Sequence, residues 1–399
     1  MRHMTPLVLL TLAACGRDKP ADTVIIADSA GVHIVTNRTP LWTEGAGWHL
    51  GGAPTLQIGG GVADTSLLVG PVAGAFRLAD GRVLVADEGT MSLRWFGADG
   101  KLLQAKGRKG DGPGEYRQFS EMLEVGDSIA IYDGQLRRLT LLDREGNVGR
   151  TVTVAQDLEP IGRLPDGNWV AWLGTSHRTG EQTGPVRDTA WLWTVDSDGK
   201  AIARIATLRG SDVLVAASDR FVAVIPPPFG RETTIRFHDG SLWVGTADAF
   251  RLDRLSPSGT EVASVRWDRI PEILADADGR AAKDSMVKGF SAGRAADDIV
   301  RAVSGALDKF PLPGFKPPYS TFRVADDGAL WVERFVTSDH TGPTDWVVFR
   351  ADGRMLGDVT LPPGFEPTQI ADHEILGIWK DPDGVDHVVA YPLEKPATS

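Results

Sequence analysis

The chain has 399 residues, 53 acidic against 42 basic, a formal charge of -11 and a single cysteine. An acidic body repels a phosphate backbone, which argues against nucleic acid as a partner, and one cysteine gives no disulfide framework. Eight scattered histidines contain no His-X-X-X-His pair and have no cysteine pair beside them, so a zinc site is unsupported.

Residues 1–14, "MRHMTPLVLLTLAA", combine one basic residue, a short apolar run and small residues leading into Cys15, the pattern of a secretory signal. The run holds roughly ten residues where a bilayer span needs about twenty, so no permanent transmembrane helix is expected there. "LAAC", ending at Cys15, resembles the lipobox of bacterial lipoproteins. That resemblance implies cleavage before Cys15, acylation of its thiol and attachment to a membrane through the polar linker at 15–22. Cleavage removes Arg2 alone among the charges and takes the net value from -11 to -12. Gly16 stands where an aspartate resembles an inner-membrane retention signal, which points to the outer membrane.

Beyond the linker, Asp-Gly and Ser-Gly pairs punctuate runs rich in Val, Leu, Ile, Trp and Arg, the signature of tight hairpins. Laid under one another, units beginning at Phe76, Leu123, Gly162, Ile235, Phe322 and Thr368 read as strand, turn, strand, looser loop, strand, turn, strand. Four antiparallel strands repeated around a ring make a β-propeller blade. The expected fold is all-β, a six-bladed β-propeller forming a single domain over 23–399. The sixth unit lacks an outer strand, and spare strands at 31–37 ("GVHIVTN") or 54–59 ("PTLQIG") are expected to close the ring. Residues 212–227 offer an alternative seventh blade. The chain is read as a monomer.

Two segments interrupt the repeat. Residues 175–185, "TSHRTGEQTGP", read as a long polar loop in the third unit. A helical insertion is expected at about 269–310: Ile299, Val303, Leu307 and Phe310 form one apolar stripe, acids precede it and Pro311 stops it. It is either a lid over the channel or packing on the blade edges.

The loop at 107–119, "GRKGDGPGEYRQF", has neither the Walker A spacing nor the alternating acids of a calcium loop. It lies between the outer strand of one unit and the inner strand of the next, where glycines and Pro113 suit a sharp crossing. Arg108, Lys109 and Arg117 are its candidate anion ligands.

With "LADGRVLVAD" at the first entry strand, "DSAGVHIVTN" near the start, "PFGR" at 228–231 and the lipobox, this loop makes the chain similar to the bacterial six-bladed β-propeller lipoproteins with NHL- or TolB-like repeats. The resemblance spans nearly the whole mature chain. It implies the fold and export to the cell envelope, and it carries no catalytic residues.

Aligned on the first turn of each unit, Arg77, Glu124, Arg163, Arg236, Arg323 and Gln369 fall at one position. On the innermost strands they would form a partly basic ring about the channel, able to take a small carboxylate or phosphate. The alternative is that each arginine ties blades together through an aspartate such as Asp80, Asp166 or Asp239. A calcium-dependent lactonase or esterase in the channel would draw on Glu124, Asp87, Asp133 and Glu333. Those acids equally suit backbone bonds at the next loop. Of the twelve tryptophans, those in strands read as wedge filling, and Trp42 and Trp48 are the better candidates for a sugar platform. The reading assigns no catalytic residue. It expects a lipid-anchored binding or scaffold module whose partner is a protein or a small anionic ligand.

Overall fold

The computed structural model describes residues 23–43, 45–59, 68, 70–174, 183–218, 221–293 and 295–396. The signal, Cys15 and the linker lie outside them, as does most of the loop at 175–185. Among the described residues the chain folds into six sheets. The first is Val72–Arg77, Val83–Asp87, Ser92–Phe96 and Leu102–Lys106, hydrogen-bonded in chain order. The second runs from Glu121–Val125 to Val148–Thr153 and the third starts at Glu159–Arg163. The fourth runs from Thr234–His238 to Glu261–Trp267, the fifth from Phe322–Val324 to Met355–Leu361, and the sixth holds Phe365–Ile370, Glu374–Lys380 and Asp386–Glu394. Burial follows strand rank: the apolar second and third strands of the first sheet are buried throughout, and its outer strand alternates with solvent.

The Asp-Gly turns work as the pattern predicts. Asp80 accepts the Arg82 N–H at 3.1 Å while Gly81 holds φ at 89°. Glycine is required twice over at position 199, where φ is +85° and a Cβ would meet the Thr153 carbonyl of the preceding sheet at 2.2 Å.

Wide side chains fill the wedges between sheets. Leu84 and Trp95 meet Ile129 and Leu142; Tyr132 meets Trp169 and Val195; Val170 and Leu192 meet Leu242 and Val244. The fourth and fifth sheets share Trp267, Phe322 and Val347, and the fifth and sixth share Trp331, Val348, Ile375 and Val389. Leu376 and Val388 of the sixth sheet then pack on Val83 and Phe96 of the first, so the circle closes on itself. This is the architecture of a β-propeller.

Leu56–Ile58 pairs antiparallel with Val388, Val389 and Ala390, so a strand from the start of the chain completes the last sheet. The other spare segment goes elsewhere. Val32–Asn37 lies parallel to Glu261–Trp267 outside the fourth sheet, and Val24–Ser29 folds back on it. Asn37 pins it there: fully buried, its amide donates to Arg266 and Gly353 carbonyls at 3.1 and 2.9 Å and its oxygen accepts the Met355 N–H at 2.8 Å.

Residues 212–227 make no sheet of their own. Ala201–Ser218 is one strand of 18 residues that outgrows the third sheet, and Phe221–Ile225 pairs with its far end. The insertion holds two helices where the apolar stripe predicts one. The stripe forms α2 (Asp297–Lys309), whose Val303 and Leu307 are buried on Leu214 and Ala216 of the prolonged strand. The preceding α1 (Asp276–Ala292) has no comparable stripe and is held through Met286, Val287 and Phe290.

Candidate ligand site under the helical cap

The prolonged strand and the two helices cap one face of the ring, and beneath α1 they leave a cavity of about 350 Å³. One wall is the turn after Phe221–Ile225, where Pro226, Pro227 and Pro228 restrict the backbone and Phe229 is buried at φ 55°. This is the "PFGR" element. Gly230 donates to Pro227 at 2.9 Å, and Arg231 holds Asp212 through Nε at 2.9 Å and Asp248 at 2.7 Å. Arg187 adds a second contact to Asp212 at 3.5 Å. The opposite wall is the loop after the fifth sheet's second strand, where Phe335 stacks on Phe229 with ring centroids 5.6 Å apart. The roof is α1, through Ser285, Met286 and Gly289 among others. Ser285 donates to Asp339 at 3.4 Å, and the Thr337 hydroxyl holds the Asp339 carboxyl below its usual range. Glu232 stands exposed at the mouth, with partial desolvation pushing its carboxyl up.

Charges from five sheets, the second to the sixth, sense one another across the axis. Burial pushes the Glu121 carboxyl up to about 7, opposed by Arg236, reinforced by Glu159 and opposed again by Arg323. Burial does the same to Glu333, also to about 7, with Glu366 adding to the rise. Arg236 is brought down to about 10 by burial and then by Arg323. The innermost strands thus bring Glu121, Glu159 and Glu366 to the channel beside Arg236 and Arg323. Aligning on the first turn singles out the arginines and passes over these acids, which lie three or four residues earlier on each strand.

The six aligned positions have distinct surroundings. Arg77 holds Glu374 of the sixth sheet with two bonds, at 2.7 and 2.9 Å, and donates to the Gly81 carbonyl at 2.9 Å. Arg323 holds Glu366, also of the sixth sheet, at 2.8 Å. The carboxylates that tie these two arginines to the neighbouring blade are therefore glutamates. Asp80 instead bonds to Arg82, and Asp166 to Asn168. Gln369 accepts the Arg77 N–H at 2.8 Å, and Glu124 meets Arg144 at 3.5 Å. Arg163 lies over Trp169 at 5.6 Å and reaches the Gly167 carbonyl at 3.5 Å. Arg236 donates to the Ile235 carbonyl at 3.0 Å, while its buried Nε has no partner and, among the described residues, no carboxylate stands within 4.0 Å.

In the 107–119 loop, Arg108 pairs with Glu115 at 2.6 Å and Arg117 with Asp111. Arg138 from the next sheet donates to the Asp111 and Glu115 carbonyls. An anion there would have to displace the loop's own acids; among the described residues Lys109 has no such ion pair. Asp133 accepts backbone N–H groups of Arg117 and Leu136, and Asp87 bonds to the Gly89 N–H and Arg94. Among the described residues no three His, Cys, Asp or Glu side chains gather with the geometry of a metal site. Trp42 and Trp48 stack at 5.3 Å on the fifth and sixth sheets' core, with the Lys395 ammonium over Trp48, so they present no free platform. Residues 289–293 have the Gly-X-Ser-X-Gly spacing of a nucleophile elbow. Ser291 sits in the last turn of α1 and donates to the Val287 carbonyl at 3.0 Å, with no strand-to-helix elbow beneath it.

No family model and no curated protein matches the chain. Solved structures do. A protein of Bacteroides fragilis named as exported aligns at 13% identity over 91% of this chain and 99% of its own, with a TM-score of 0.51. A member of the DUF4221 family from Bacteroides vulgatus aligns at 9% identity over 88% of this chain and 98% of its own, TM-score 0.47. A virginiamycin B lyase of Staphylococcus aureus aligns at 10% identity over 85% of this chain and 99% of its own, TM-score 0.41. The first of these likenesses shows the fold. Fold and cavity together define a β-propeller with one capped face.

Proposed function

We propose that the protein is a lipid-anchored, six-bladed β-propeller of the cell envelope that acts as a non-catalytic ligand-binding module, with its site in the cavity under α1. The six sheets correspond to the six sequence units, and the closing strand Leu56–Ile58 supplies the one that the sixth unit lacks. The lipobox at Cys15 and a structural neighbour named as exported support the envelope address.

The observation that carries the binding role is the departure from repetition on one face. Repeated units need only turns to connect them. Here an 18-residue strand, a three-proline turn, the loop at 335–339 and α1, braced by α2, converge instead, and they leave a cavity of about 350 Å³ lined mainly by apolar groups. That volume lies within the range of small-molecule sites. The test is a melting-temperature screen of the purified full-length protein in detergent against a library of small metabolites. Compounds that raise the melting temperature in a saturable way, with no turnover, support the reading. Stoichiometric calcium together with ester hydrolysis lost on chelation would replace it with a channel-sited hydrolase.

A further inference from the structure

We infer that the cavity under α1 selects a small apolar molecule bearing an ammonium group; this rests on the binding role proposed above and names its ligand class. The charged side chains lining the cavity are Asp212, Glu232 and Asp339, with no lysine, arginine or histidine among them. The three differ in how their charge is met. Asp212 is answered by Arg231 at 2.9 Å and by Arg187 at 3.5 Å. Asp339 is bonded by the neutral hydroxyl of Ser285, and among the described residues it has no cation within 4.0 Å. Glu232 has neither an ion pair nor a hydrogen bond among the described residues, although it stands at the mouth of the cavity. Glu232 and Asp339 are both exposed and have no cation within 4.0 Å among the described residues, so two carboxylates border one apolar space without an ion-pair partner.

The apolar part of the site favours the same ligand. Phe229 is buried against Phe335, and aromatic faces attract a cation as well as a hydrocarbon. Met286 from the roof adds an adaptable apolar contact. An anion would meet two negative charges that have no ion-pair partner; a neutral molecule would fill the apolar space but leave both exposed carboxylates to water alone. A protonated or quaternary amine with an aromatic or branched body satisfies both walls.

The experiment compares three probes of one shape in the full-length protein: phenethylammonium, 2-phenylethanol and phenylacetate, titrated calorimetrically at neutral pH. The ammonium is expected to bind about tenfold more tightly than the alcohol, the equivalent of about 1.4 kcal/mol, and phenylacetate not measurably. Glu232→Gln, at an exposed position, should cut the ammonium-to-alcohol ratio severalfold with the melting temperature unchanged. Asp339→Asn should act in the same direction, and Phe335→Ala should weaken both probes. Equal binding of ammonium and alcohol, preference for phenylacetate, or an unchanged ratio in both carboxylate variants overturns the inference and leaves a binding module of other selectivity. If none of the probes binds while other library compounds do, the ligand class is wrong. If nothing in the library binds, the binding role itself fails.

Discussion

Replacing Arg77 by Gln and Arg236 by Gln should have opposite consequences, although the two residues occupy the same place in their repeats. Arg77 makes two charge-assisted bonds to Glu374 at 2.7 and 2.9 Å and a third bond to the Gly81 carbonyl at 2.9 Å. The two side chains are 24% and 26% exposed, so screening reduces the pair's worth without abolishing it. Losing these bonds and leaving Glu374 half-buried without a partner should cost about 2 to 3 kcal/mol. In a ring of this size that lowers the melting temperature by roughly 2 to 5 °C. Arg236 instead keeps its buried Nε without a partner and holds no carboxylate by an ion pair. An orphaned buried donor costs about 1 to 3 kcal/mol, so Arg236→Gln should change stability by less than about 1 kcal/mol or raise it. Circular-dichroism melts of both variants, with Glu374→Gln and the Arg77–Glu374 double variant, give the comparison. The double variant should cost less than the sum of the singles by about 1 to 2 kcal/mol. An Arg236→Gln protein as destabilised as Arg77→Gln, or strict additivity in the double variant, would refute the assignment of Arg77 as a tie and Arg236 as an unpaired charge.

Glu121 and Glu333 titrate at about 7 in the folded ring against an ordinary 4.5, so the fold favours their protonated forms. Their contribution is full below pH about 4.5 and lost as pH rises through about 7; melting temperature should fall across that window, and the Glu121→Gln, Glu333→Gln double variant should flatten the fall. An equally steep fall in that variant would refute the assignment. Ile58 is 1% exposed on the closing strand, so Ile58→Ala should cost about 2 to 5 kcal/mol, and deleting residues 21–59 should expose sheet edges and cause aggregation. A soluble deletion variant with unchanged melting would remove the closing strand from the account. Replacing Cys15 by Ser should shift the protein out of the washed membrane fraction; retention there after a high-salt wash would mean that acylation is not the anchor.

The repeat was legible because turn chemistry and strand composition are local. Asp-Gly pairs fix φ at Gly81 and its counterparts wherever the neighbouring blade stands, and runs such as Val83–Asp87 bury themselves whichever sheet they join. Pairing between distant segments was less legible. The segment at 31–37 and the one at 54–59 have similar strand composition, and it is Asn37, with three bonds reaching the fourth and fifth sheets, that pins the first outside the fourth sheet. The cavity was harder still. Residues 212–227 carry strand propensity, and nothing local says that they prolong a strand of the third sheet. α1 shows no apolar stripe because its packing comes from a few residues set against a helix it meets only in the fold. The arginine positions were visible by alignment, but Glu374 and Glu366, which hold two of them, come from the sixth unit.

The most direct test of the ligand site is to fill it from the roof. Gly289 faces the cavity from α1, and a Cβ built there meets nothing within 4 Å. A side chain at 289 can therefore leave the helix without clash, and Gly289→Phe, in the last turn of α1, should occupy the space with stability changed by less than about 1 kcal/mol. Compounds that raise the melting temperature of the unaltered protein should no longer do so in this variant. A variant that melts normally and still binds those compounds with unchanged affinity would show that the ligand sits elsewhere on the propeller and would contradict the account.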